Sequence, residues 1–136
     1  FVSLGVKMET LMASGECVAV ELVREEIESV GTPDLIAWGK AQKTLFVPLA
    51  PELQAEGAKI EAAYPDLMDP KLPYQSADAY VIALAKVRNG IVISQETSAA
   101  EKHKPKRSHY IPDVCRDLGI PCFNLLGMAR REKWRP

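Results

Sequence analysis

Four short, largely apolar runs constrain this chain most: CVAV (17–20), TLFVPL (44–49), IVIS (91–94) and CFNLL (122–126). A strand with one wet face alternates apolar and polar residues, whereas a strand covered on both faces is apolar at consecutive positions. Helical spacing fills the intervals. Residues 3–14 predict a helix stopped by Gly15, and ELVREEIESV (21–30) predicts a second, stopped by Gly31. Thr32 then caps a third helix with Pro33 at its first position, and Pro51 opens a fourth that runs to Tyr64. AYVIALAKV (79–87) predicts a fifth, stopped at Asn89-Gly90, and Pro112 opens a sixth that ends at Gly119. Residues 65–76, residues 101–110 and a basic tail read as irregular. Strands that alternate with helices and are apolar throughout predict an α/β fold: three layers, α/β/α, around a mainly parallel sheet. Ligands in such sheets bind beyond the C-terminal ends of the strands.

At 136 residues the chain suits a single domain spanning 1–136. No apolar run approaches the roughly 20 residues that cross a bilayer, and the start lacks the pattern of a signal peptide. Cys17, Cys115 and Cys122 are odd in number and show no CxxC spacing, which predicts a reduced, cytoplasmic setting with no disulfide framework and no membrane. The first residue is Phe1 rather than Met, so residues upstream are expected.

The net charge of −1 conceals a division. Residues 1–101 carry 8 basic and 15 acidic groups, and residues 102–136 carry 9 basic and 3 acidic ones. An acidic body with a basic final quarter suits a phosphate-bearing partner held beside an acidic site, or simply an uneven solvated surface.

Chain geometry then groups three acids. A helix of about 11 residues from Asp78 rises roughly 16 Å, and a returning strand of about 6 residues covers roughly 20 Å. Glu96, at the end of IVISQE, therefore emerges near the level of Asp78. CVAV ends at Val20, and the following helix brings Glu25 and Glu26 to the same rim. Taken singly, Asp78 is equally a helix-start acid, Glu26 a solvated charge and Glu96 a turn residue. Together they point to a cation, because gathered carboxylates repel unless one neutralises them, and Mg²⁺ takes oxygen ligands.

VREEI around Glu26, ADAYVIALA around Asp78, IVISQE ending in Glu96 and IPDVCRDLGIPCFNLL (111–126) together resemble the PIN-domain superfamily, and most closely its small bacterial and archaeal PIN-like proteins. The resemblance covers nearly the whole chain. It implies a parallel sheet in the order 3-2-1-4-5 and a Mg²⁺- or Mn²⁺-dependent ribonuclease, in many relatives the toxin of a toxin–antitoxin pair. The ion would be held by Glu26, Asp78 and Glu96, with the Ser94 hydroxyl supporting Glu96. The family's first acid lies on an N-terminal Asp-Thr-Asn strand at the sheet's centre. No such motif occurs in residues 1–136, so that strand is expected upstream, between CVAV and IVIS in space.

KHKPKRSH (102–109) fits RNA backbone binding through Lys102, Lys104, Lys106 and Arg107, or a plain solvated loop. His103 and His109 show no evident partner. Trp38, Trp134, Cys115 and Cys122 read as packing residues. The expected partners are RNA, with an antitoxin protein or a second copy in a homodimer. Two other readings compete. One is a catalytically incomplete PIN-like module that binds RNA or protein; the other is a different acidic-pocket α/β protein, such as a receiver or a phosphatase.

Overall fold

The computed structural model describes residues 2–69, 71–72 and 75–132, with side chains from residue 8 onward. Trp134 and the end of the basic tail lie outside the described residues. The elements run α1 (Val2–Ser14), β1 (Ala19–Val20), α2 (Glu21–Val30), α3 (Pro33–Ala41), β2 (Phe46–Val47), α4 (Pro51–Ala63), α5 (Asp78–Arg88), β3 (Val92–Ile93), α6 (Ile111–Leu118), β4 (Cys122–Phe123) and α7 (Leu125–Arg131). Single 3-10 turns lie at Pro65–Leu67 and Ala99–Glu101. The fold is mixed α/β with short parallel strands.

Each strand falls inside an expected run but is only two residues long. The causes are local. Cys17 spends its N–H on the Leu11 carbonyl, so β1 begins late, and α2 follows it without a break. Pro48 and Pro121 have no N–H to give a ladder. CFNLL is interrupted by Asn124, whose Oδ1 accepts from the Gly127 N–H at 2.6 Å and caps α7. The expected strand over 122–126 is therefore two residues of strand followed by a helix, and the described part of the basic tail is largely that helix.

β1 pairs with β2 and β3 with β4, both in parallel, as two separate two-stranded sheets. Among the described residues no ladder joins β1 to β3. Helix α5 bridges the pairs, since it packs against both β1 and β3. It is apolar nearly all round, with Ala79, Tyr80, Ile82, Ala83, Leu84 and Ala85 buried, as a central helix must be.

Its tightest contact is with α4, where Gly57 lies under the Tyr80 ring. A β-carbon at Gly57 would collide with that ring, so only glycine permits this approach. The Tyr80 hydroxyl donates to Glu61 at 3.0 Å. One contiguous core joins Val20, Leu22, Leu53, Ile60, Leu67, Val92, Val114 and Cys115 to this helix, with Cys122 packed against it. Trp38, expected to pack inside, is exposed on α3. Among the described residues no helix is long and apolar enough to cross a membrane.

Candidate functional site

The ends of β1 and β3 and the starts of α5 and α6 meet at one rim, where the acids gather. Asp78 is the first residue of α5. The N–H of the preceding residue, Ala77, donates to Glu26 Oε1 at 2.5 Å. Glu26 thus reaches from α2 to satisfy a donor that a helix start leaves without an intrahelical partner. Glu96 does the same at α6, with its Oε1 accepting from the Ile111 N–H at 2.9 Å. Each glutamate is anchored through one oxygen. Glu25, its neighbour in sequence, is exposed.

A second device recurs beside Asp78 and Glu96. The Ser76 hydroxyl accepts from the Asp78 N–H at 3.3 Å, and the Ser94 hydroxyl accepts from the Glu96 N–H at 3.1 Å. The repeated Ser-x-acid spelling, SAD and SQE, marks both turns in the sequence. Ser76 follows by the same rule as Ser94.

Electrostatics joins the three. Burial, then the charges of Glu96 and Glu26, push the Asp78 carboxyl up to about 6, against the opposing pull of Arg107 and a Ser76 hydrogen bond. Burial also pushes the Glu26 carboxyl up, while the Ala77 N–H pulls it down. Among the described residues no three His, Cys, Asp or Glu side chains are gathered as they stand to hold a metal ion.

The basic loop is ordered by contacts distant in sequence. Asp66 takes the Ser108 N–H through Oδ2 at 3.0 Å and meets His109 Nδ1 through Oδ1 at 2.7 Å. Tyr64 sets its ring edge-on to His109 at 4.9 Å. His109 thus has a partner, contrary to the expectation from sequence. Tyr110 organises the rest: its hydroxyl accepts from the Lys106 N–H at 3.1 Å, and Lys102 Nζ and the Arg107 guanidinium stand 4.3 and 4.4 Å from its ring centre. Buried Asp113 ties the loop to α6 by accepting from the Tyr110 and Ala99 N–H groups.

Lys102 also donates to the Thr97 hydroxyl at 2.9 Å, whereas Lys104 and Lys106 are exposed. Arg107 points back to the acids, its guanidinium 3.9 Å from Glu96 Oε2. Alongside runs an open cleft of about 480 Å³ lined by Ala99, Ala100, Pro105, Lys106, Arg107 and Ser108. The roles of Asp66, His109 and Tyr110 leave no local signal in the sequence, because they depend on folded contacts.

A family model described as a domain of unknown function (DUF4411) matches residues 1–136, the whole length of the chain. No curated protein and no solved structure matches it.

Proposed function

The chain belongs to that DUF4411 family, and for this member we propose a divalent-cation-dependent ribonuclease that hydrolyses RNA phosphodiester bonds, acting as the toxin of a toxin–antitoxin pair in the cytoplasm. The observation that carries this reading is Asp78, seated on the rim where it feels both Glu96 and Glu26 and held up to about 6. A carboxyl raised first by burial and then by two like charges is costly to ionise where it stands, and perturbed acids at a rim are functional candidates.

The donor set fits a hard ion. All three candidates offer carboxylate oxygens, and the anchoring bonds of Glu26 and Glu96 use Oε1 of each, leaving Oε2 to turn to a cation. Glu26, Asp78 and Glu96 would hold Mg²⁺ or Mn²⁺. The chemistry such an ion supplies is activation of water and stabilisation of charge on the phosphodiester. The protein's own residues do the rest. Ser76 and Ser94 fix the turns that present Asp78 and Glu96, and the Glu26–Ala77 bond fixes α5 against α2. Lys102, Lys104, Lys106 and Arg107 line the approach of a polyanion.

Two parallel strand pairs sharing α5, with no ladder between them among the described residues, suit the order 3-2-1-4-5 with one more strand between β1 and β3. In this reading that strand brings a further acid to the same rim, completes a three-layer PIN-like domain and is supplied from upstream.

The test is cleavage of single-stranded RNA by the natural full-length protein. Cleavage that needs Mn²⁺, stops in EDTA and disappears in Asp78→Asn supports the reading. Cleavage undiminished by Asp78→Asn overturns it, and RNA bound but never cut favours the binding module instead.

A further inference from the structure

Arg107 is placed without being committed. Its 3.9 Å separation from Glu96 Oε2 lies beyond the roughly 2.7–3.2 Å of a hydrogen bond, so the attraction is charge alone. Its Nε is buried and lacks a hydrogen-bond partner among the described residues. What holds the guanidinium is the face of Tyr110, a contact that leaves the N–H fork unspent. On its other flank the same residue lines the open cleft with Lys106 and Ser108. Arginine–carboxylate pairs are frequently bidentate; half-buried Arg107 makes no hydrogen bond to Glu96 at all.

We propose that Arg107 is a displaceable counter-ion: it neutralises the acidic rim while no divalent cation is bound, gives way when one binds, and turns its guanidinium to a phosphodiester oxygen in the adjoining cleft. This rests on the divalent-cation reading above and adds a competition that reading does not require. Two positive charges cannot share Glu96 at close range without mutual repulsion, so the arginine opposes ion entry until it moves. Once it has moved, a phosphate provides the bonds its fork lacks. The same residue thereby couples occupancy of the rim to grip on the substrate backbone.

The experiment is calorimetric titration of Mn²⁺ into the natural full-length protein and its Arg107→Gln, Arg107→Lys and Asp78→Asn variants at low ionic strength. Loss of one positive charge a few ångströms away, at a surface-like dielectric, tightens Mn²⁺ binding roughly fivefold or more in Arg107→Gln. Arg107→Lys, which keeps the charge, stays near wild type. In Mn²⁺, where wild-type Arg107 has turned to the cleft, Arg107→Gln binds a non-cleavable single-stranded oligodeoxynucleotide more weakly than wild type, and in EDTA that difference shrinks. Mn²⁺ affinity unchanged or reduced in Arg107→Gln, with binding still lost in Asp78→Asn, overturns the counter-ion and leaves the cation reading intact. Equal tightening by Lys and Gln also overturns it, since charge would not be the cause. Absence of Mn²⁺ binding in all four proteins overturns both.

Discussion

Asp78 should weaken the fold whenever it is ionised, and Asp78→Asn should therefore stabilise the protein at neutral pH. Its carboxyl rises from an ordinary 3.8 to about 6 on folding. Two units at about 1.36 kcal/mol each come to about 3 kcal/mol, and its partial exposure to water lowers the observable share to about 1–3 kcal/mol. The sign follows from proton uptake. Below pH 3.8 the carboxyl is neutral in both states and there is no penalty. Between 3.8 and about 6 the unfolded chain ionises first, so the folded state loses stability as pH rises. Above about 6 the full penalty applies.

Asparagine matches the side chain in size and cannot ionise. Urea unfolding of both chains in EDTA should show similar midpoints at pH 4 and a higher midpoint for Asp78→Asn at pH 8. Adding Mn²⁺ at pH 8 should raise the wild-type midpoint alone, as expected for a ligand that binds only the folded state. A stability difference that is the same at both pH values would refute the reasoning, because it would then owe nothing to charge on Asp78.

Two further outcomes are expected. Replacing Lys104, Lys106 and Arg107 together by Ala should weaken RNA binding and flatten its dependence on salt, as measured by fluorescence anisotropy from low to physiological salt; an unchanged slope would make the loop plain surface. Gly57→Ala should cost about 1–3 kcal/mol in urea unfolding through its collision with the Tyr80 ring, and the cost should shrink when Tyr80 is first replaced by Ala, since the two residues are in direct contact.

The helices were largely legible because their limits are local. Thr32 caps α3, Pro51 opens α4, and Gly119, at a φ of 71°, ends α6 where the sequence placed its stop. The strand runs located all four strands, yet their lengths depend on prolines, caps and how many neighbours each strand has. Asn124 was the misleading residue: inside CFNLL it sits in an apolar run, but its side chain starts a helix. The basic loop was the least legible. Its order rests on Asp66 meeting Ser108 and His109 across more than forty residues, and no spacing rule carries that information.

The three acids of the rim were legible as a group, but their roles are unequal. Glu26 and Glu96 each close an open helix start, so both remain structurally useful with no cation bound. Asp78 lies between like charges that Arg107 and Ser76 offset only in part. The repulsion within the cluster thereby falls chiefly on Asp78, at the first turn of the helix that bridges the two sheets. A positive charge arriving at this rim relieves that side chain most. Any ligand that supplies it should reinforce α5 itself, linking occupancy of the rim to the packing that joins β1 with β3.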